Sequence, residues 1–230
     1  MGIQDVLSTR EDYLTIALPK GKLFKLSADL LGKAGISAEG LSEKSRKLVI
    51  ANEEKKVRFI ITKTSDVPTY VEYGAADIGV IGEDVLRESG MDVYELLDLG
   101  FGKCHLMMAV TKANRRPRLQ DYANTRVATK FPRIAAEFFN RQGMQMEYVK
   151  LGGSIELGPI VGLSDSIVDI VETGTTLKEN DLEEIAYIMD ATARLIANRV
   201  SYKLKFDRIN PLVNDLRRLL EAAKDEDSAR

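Results

Sequence analysis

The chain has 230 residues, 44% of them hydrophobic and 30% charged, with a formal net charge of −2. That length supports one large domain or two small ones with a core of their own, and the near-neutral charge excludes a general nucleic-acid coat while leaving room for a local basic pocket. One cysteine, Cys104, and one histidine, His105, exclude an internal disulfide and argue against zinc sites of the usual kinds.

Residues 1–12 are mixed and polar, without the apolar core of a signal peptide, and read as a flexible leader. Met1-Gly2 followed by Gln4 and Asp5 is a poor lipidation signal, and no apolar run approaches membrane-spanning length. A cytoplasmic protein is expected, in the reducing compartment that suits a lone thiol.

Residues 14–18 read as a first strand, followed by Pro19-Lys20-Gly21-Lys22 and an amphipathic helix ending near Gly35. Residues 48–51 and 57–62 read as two strands paired around a polar turn. Residues 63–68 form a loop into a short helix at 69–73, and Gly74-Ala75-Ala76-Asp77 turns into a strand at 78–81 closed by Gly82. A helix at about 83–89 and an apolar strand at about 104–110 follow.

The second part echoes the first. Residues 125–129 read as a strand, Lys130 and Pro132 open a helix that ends at Gly143, and residues 147–151 form the next strand. Gly152-Gly153-Ser154-Ile155-Glu156 then leads through Pro159 to a short helix. Gly162-Leu163-Ser164-Asp165 turns into Ser166-Ile167-Val168-Asp169-Ile170-Val171, a β-branched run with a carboxylate inside it. Each half therefore runs strand–Lys–helix–Gly, then strand–loop–Pro–helix, then G-x-x-D–strand–Gly, the pattern of a pseudo-duplicated α/β protein. Residues 182–200 are ambiguous between a strand at 183–189 and an extended crossover at 191–199. Residues 211–224 form an amphipathic helix with Leu212, Leu216, Leu219 and Leu220 on one stripe, suited to the interior or to a subunit interface with the interior favoured, and 225–230 are a solvated tail.

Parallel strands with helices on both faces place ligands at their carboxyl ends. Lys20, Asp66 and Gly82 sit at such ends in the first half, and Lys130, Ser154, Glu156 and the stretch Glu172-Thr173-Gly174-Thr175-Thr176 in the second. The last of these is a turn of hydroxyls around one glycine. It can serve as an ordinary strand-to-helix turn with a threonine N-cap, or it can aim backbone N–H groups and hydroxyls at a phosphate. An unpaired carboxylate at Asp169 is costly inside an apolar strand, and a site that uses it would explain its presence.

The sequence D-I-V-E-T-G-T-T-L at 169–177 resembles the phosphoribosyl-diphosphate (PRPP) loop of phosphoribosyltransferases, in the form seen in the ATP phosphoribosyltransferase family of histidine biosynthesis. The resemblance continues in order with A-L-P-K-G-K-L at 17–23, E-K-S-R-K-L at 43–48 and S-D-V-P-T-Y-V at 65–71. G-A-A-D-I-G-V-I-G-E-D at 74–84, L-G-F-G-K-C at 99–104, R-V-A-T-K-F-P at 126–132 and G-G-S-I-E-L at 152–157 complete it.

The resemblance implies a two-lobed α/β fold of the periplasmic-binding-protein type (type II), with the active site in the interlobe cleft. Lobe I is expected at 1–108 plus 193–230 and lobe II at 109–192. The implied reaction is attack by adenine N1 of ATP on C1 of the PRPP ribose, releasing pyrophosphate, with Mg²⁺ carried by the substrate phosphates. Lys20, Gly21, Lys22, Arg46, Lys63, Asp66, Gly82 and Glu156 are implied at the ATP and diphosphate end. Asp169 is implied at the ribose hydroxyls, Thr173, Gly174, Thr175, Thr176 and Leu177 at the 5-phosphate, and Glu172 either bracing that loop or orienting the sugar. Many family members carry Arg where this chain has Lys22, and often where it has Lys63; Lys keeps the charge but loses the bidentate fork of Arg. Asp77 and Asp165 are read as turn braces. The chain resembles the short form of the family, which implies a regulatory subunit resembling histidyl-tRNA synthetase in a hetero-oligomer, commonly an octamer. The rival reading is a two-lobed binding module for a phosphorylated small ligand, since fold alone does not separate the two.

Overall fold

The computed structural model describes residues 12–36, 49–171 and 174–228, with the side chains of Thr175, Thr176 and 226–228 left aside. The chain divides into two compact units, Met1–Gly102 with Thr192–Arg230, and Lys103–Ala191. The sequence reading put the first crossing after residue 108. The strand Cys104–Thr111 instead belongs whole to the second unit, because it is hydrogen-bonded along both edges in that unit's sheet.

The first unit is built on a six-stranded sheet. Its strands in chain order are β1 (Leu14–Pro19), β2 (Val49–Asn52), β3 (Val57–Thr62), β4 (Ile78–Gly82), β5 (Tyr94–Asp98) and β11 (Ala193–Ala197), arranged β2-β3-β1-β4-β11-β5. β1 pairs in parallel with β3 and β4, and all six of its residues are buried, as a central strand covered on both faces requires. Leu14, Ile16 and Leu18 point to one core, with Phe24 and Leu31 of α1 (Lys22–Lys33). Ala17 points to the other, with Val67 and Val71 of α2 (Val67–Glu72). α3 (Glu83–Ser89) ends at Gly90, whose φ of 63° gives the left-handed C-terminal stop. β2 and β3 form the expected antiparallel pair.

Two elements depart from the sequence reading. β5 was missed, and the helix expected from Pro211 begins five residues earlier. α7 (Arg199–Leu204) and α8 (Phe206–Ser228) follow β11, with Pro211 inside α8. Leu212, Val213 and Leu216 are buried in the first core and Leu220 packs against it, so the stripe is internal as favoured.

The second unit carries a five-stranded sheet of β6 (Cys104–Thr111), β7 (Arg126–Thr129), β8 (Glu147–Lys150), β9 (Ser166–Val171) and β10 (Leu182–Ala191), in the order β10-β6-β9-β7-β8. β7, β8 and β9 run parallel, while β6 and β10 are antiparallel additions. α4 (Pro132–Arg141) covers one face through Ile134, Ala135 and Phe139, against Val127 and Val168. On the other face Ile155 and Leu177 pack on Ala128, Ile167 and Val171. They flank α5 (Leu157–Ile160) and sit in α6 (Thr175–Glu179), respectively. Asp77 and Asp165 both brace their turns. The Asp77 carboxylate accepts from Thr15 N–H at 2.7 Å and from Lys205 Nζ at 2.8 Å. The Asp165 carboxylate accepts from Arg126 N–H at 3.1 Å. Among the described residues no helix is long and apolar enough to cross a membrane.

Candidate active site

In the first unit the strand register gathers the expected cationic end. Pro19 pairs with Thr62, which brings Lys20 and Lys63 level at the carboxyl ends of β1 and β3. Continuing the register from Ala17–Gly79 brings Lys20 level with Gly82 at the end of β4. Lys20 and Lys63 are exposed. The Lys20 backbone is fixed, its N–H donating to Thr62 O at 2.8 Å and its carbonyl accepting from Thr64 Oγ1 at 3.3 Å.

Gly21 then takes φ 91°, with nothing within 4 Å of a would-be Cβ, and Lys22 starts α1. That helix has no side-chain cap and no acidic residue in its first turn. Lys20 and Lys22 both stand at the positive end of the helix dipole, where an anion is stabilised. Asp66 closes a short 3₁₀ turn after Lys63 and accepts from Ser65 Oγ at 2.8 Å. Gly82 is buried, and a Cβ there would collide with the carboxylate of buried Asp84.

Behind Gly82 lies a network that the sequence reading missed. Buried Glu83 is bridged by Arg194 and, at 2.7 Å, by Arg87, and Arg194 also reaches Glu95 at 3.1 Å and Asp98 at 3.2 Å. Glu83 N–H donates to Thr192 O at 2.9 Å, so β11 holds the turn after β4 through backbone and side chain together. The available signal was a lone cation in the apolar run 193–197, the same kind of anomaly that singled out Asp169.

In the second unit β7, β8 and β9 present their carboxyl ends at one edge. Thr129 pairs with Val168 and with Lys150, so exposed Lys130 comes level with Asp169 and Leu151. Thr129 is fully buried, and its Oγ1 accepts from Phe131 N–H at 2.8 Å to shape the turn into α4. After β8, Gly152 and Gly153 lie in open space, Ser154 takes φ 48°, and buried Ile155 pins the loop on the sheet beside half-buried Glu156.

Asp169 is half-buried on the same face as Ile167. Burial pushes its carboxyl above the ordinary 3.8, and the charge of Glu156 pushes the same way. A hydrogen bond from Ile170 N–H and the charge of Lys130 oppose that rise.

Gly174 has φ 71° and caps α6, whose Leu177 is 8% exposed and anchors the turn beside Val171. Thr175 and Thr176 form the first turn of α6. Glu172, Thr173 and Arg46 lie outside the described residues. A hollow of about 480 Å³ opens on the far side of Gly174 and Leu177, toward β10. Its lining includes Asp181, Glu183 and Glu184 against Lys112 and Lys178, a poor electrostatic match for phosphate. Among the described residues no three of His, Cys, Asp and Glu are grouped as a metal-ion cage would need.

The family model "HisG: ATP phosphoribosyltransferase" matches residues 63–218. An ATP phosphoribosyltransferase of Desulfitobacterium hafniense (strain Y51) is 54% identical over 219 residues, covering 92% of this chain and 98% of the relative. One from Moorella thermoacetica is 50% identical over 212 residues, covering 90% and 93%. Among solved structures, the ATP phosphoribosyl transferase (HisG:HisZ) complex from Thermotoga maritima matches with a TM-score of 0.77 and 32% identity, over 91% of this chain and 99% of that one. The substrate binding protein of an amino acid ABC transporter matches with a TM-score of 0.56 over 94% and 96%. At 10% identity that second likeness concerns the fold alone, and it bears out the periplasmic-binding-protein type of fold. By the family model and by identity over nearly its whole length, the chain belongs to the ATP phosphoribosyltransferase family.

Proposed function

We propose that this chain is the catalytic subunit that joins ATP to PRPP, through adenine N1 and ribose C1, giving phosphoribosyl-ATP and pyrophosphate in the first step of histidine biosynthesis. The observation that carries the reading is Asp169. A carboxylate held half-buried inside β9, just ahead of the glycine turn, has a physical reason to be there if ribose hydroxyls hydrogen-bond to it. The names of the relatives supply the reaction class.

In this reaction the ribose becomes oxocarbenium-like while charge builds on the departing pyrophosphate, so fixed charges account for most of the rate. Lys20, Lys22 and Arg46 meet the phosphate oxygens, with Gly21 giving the backbone close approach. Lys63, Asp66 and Gly82 complete the ATP and diphosphate end, and Glu156 stands in the second unit beside Asp169. Asp169 holds the ribose hydroxyls, Thr173 to Leu177 hold the 5-phosphate, and Glu172 supports that loop. Mg²⁺ enters as part of the substrates, bound to their phosphates. The Thermotoga maritima neighbour is a HisG:HisZ complex. By analogy this chain works with a regulatory subunit resembling histidyl-tRNA synthetase, in a hetero-octamer.

The test is to mix the purified chain with ATP, PRPP and Mg²⁺, with and without that subunit, and follow the ultraviolet absorbance of phosphoribosyl-ATP. Product that vanishes in folded Asp169→Ala and Thr173→Ala variants supports the reading. No product under either condition, with PRPP still bound, overturns it in favour of a binding module.

A further inference from the structure

Asp169, Glu156 and Lys130 come from three different segments and converge at one sheet edge. Lys130 follows Thr129, which pairs with Val168, so it stands one rung beyond that pair and level with Asp169 on the adjacent strand. Glu156 arrives by another route. Its neighbour Ile155 is 2% exposed and packs with Ala128 and Ile167, which is the face of β9 that Asp169 shares. The segment 152–156 is thereby pinned over that face, although a Cβ added at either of its two glycines would meet nothing within 4 Å.

We infer that Glu156 and Lys130 are positioning residues that act through Asp169, two opposite charges set beside the one carboxyl that faces a sugar diol. The inference deepens the proposed function, since it rests on Asp169 facing the ribose.

The electrostatics run in opposite senses. The negative charge of Glu156 makes ionising Asp169 harder, and the positive charge of Lys130 makes it easier. The other charged groups on the packed elements are His105 on β6, paired beside Val171, and Lys178 and Glu179 on α6. Among the described residues only Glu156 and Lys130 act on the Asp169 carboxyl through their charge. Directly across β6 stands Met107, which brings no charge. α4 covers the opposite face of the sheet.

The chemistry needs the ionised form. Two vicinal hydroxyls donate best to a carboxylate, and a negative charge beneath a ribose that is turning oxocarbenium-like favours the transition state more than the ground state. A cation such as Lys130 raises the ionised fraction without touching the sugar. Glu156 has the reverse effect.

The test reads Asp169 itself as well as turnover. The side-chain carboxyl carbon of Asp169 is followed by ¹³C NMR against pH in the ligand-free chain, assigned by its loss in Asp169→Asn. The same titration is run on Glu156→Gln and Lys130→Met, beside the pH profile of kcat/KM for PRPP with any regulatory subunit the activity requires. The expected result is a midpoint moved to lower pH in Glu156→Gln and to higher pH in Lys130→Met. The acid limb of kcat/KM should follow in the same directions, and Lys130→Arg should restore the midpoint. A midpoint unmoved in either variant overturns the inference. Midpoints that move as expected in a chain that forms no phosphoribosyl-ATP support the coupling and refute the proposed reaction instead.

Discussion

Removing the Asp77 carboxylate should unfold the first unit far more easily while leaving the chemistry of each folded molecule intact. Asp77 is 5% exposed at the amino end of β4, the end opposite Gly82. Its carboxylate accepts from Thr15 N–H at 2.7 Å and Lys205 Nζ at 2.8 Å, and the same ammonium donates to Tyr13 O at 2.7 Å. Asp77→Ala therefore removes the carboxylate that faces a largely buried ammonium, 15% exposed, and the acceptor of the buried Thr15 N–H at once. Breaking one side of a buried ion pair costs about 3–5 kcal/mol. The residual exposure of Lys205 favours the lower end, about 3 kcal/mol. With a urea slope of about 1–3 kcal/mol per molar, that lowers the denaturation midpoint by about 1–3 M. Asp77→Asn should lose less, since it keeps an acceptor for Thr15. The double variant Asp77→Leu, Lys205→Met should lose less than the sum of its single changes, because no charge is left unpaired. Urea unfolding followed by circular dichroism measures each of these variants. A loss below about 1 kcal/mol for Asp77→Ala, or strict additivity in the pair, would refute the reasoning.

Gly79→Ala should cost about 1–3 kcal/mol, because its Cβ would lie 2.9 Å from both Val67 Cγ1 and Val71 Cγ2 and push α2 off the sheet. A thermal midpoint equal to that of the parent would contradict it. Asn198→Ala should cost about 2 kcal/mol, since Asn198 Oδ1 accepts from Val200 and Ser201 N–H and its Nδ2 donates to Val71 O at 2.9 Å and Glu72 O at 2.8 Å. Urea midpoints decide that as well. Arg194→Met should raise KM for the phosphate-bearing substrates more than it lowers kcat, by loosening Glu83 next to Gly82. Unchanged KM in the folded variant would confine Arg194 to stability. Asp169→Asn should abolish product and yet raise the thermal midpoint of the ligand-free chain at neutral pH. The fold holds a proton on Asp169 above the ordinary 3.8. Its contribution is therefore full below that value, falls as pH rises through the raised one, and leaves a constant deficit beyond it. An unchanged or lower midpoint would falsify that account.

The readable parts of the fold were those where one local rule decides. β1, β4 and β9 are apolar runs bounded by proline, lysine or glycine, and their full or near-full burial makes that signal dense. β5 failed to announce itself because Y-E-L-L-D is half-exposed and acidic, and it becomes a strand only by pairing with β11 at the sheet edge. β10 stayed ambiguous for a related reason. Register shifts between Glu184 and Ala186, and again between Tyr187 and Met189, break the period of two that the eye seeks. Pro211 was placed at the head of its helix by a sound preference. The packing of Ile209, Leu212 and Leu216 carries the helix past it. In the site, Lys20, Asp66 and Gly82 were legible as strand ends. Lys130 was seen at a strand end but given no role, because its relation to Asp169 exists only through the pairing of β7 with β9.

Two charged residues set inside apolar strands, Arg194 and Asp169, show why one anomaly reads as structure and the other as a site. Arg194 in β11 is surrounded by its own compensation, with Glu83, Glu95 and Asp98 all bonded to its guanidinium within the unit. Three carboxylates offset most of the desolvation cost of that cation, although its buried Nε finds no hydrogen-bond partner among the described residues. Asp169 in β9 has no such settlement. Among the described residues it draws one backbone N–H and one exposed lysine, against burial and a second carboxylate that both oppose its ionisation. A fold that merely needed a strand there would gain stability from an apolar residue at 169, much as the surrounding isoleucines and valines provide it. The cost left open at Asp169 is the kind that functional sites carry and a ligand offsets. The same comparison explains why motif spacing alone could not rank the two. The sequence shows a charge among apolar neighbours in both strands, and only the count of partners around each separates a brace from a binding group.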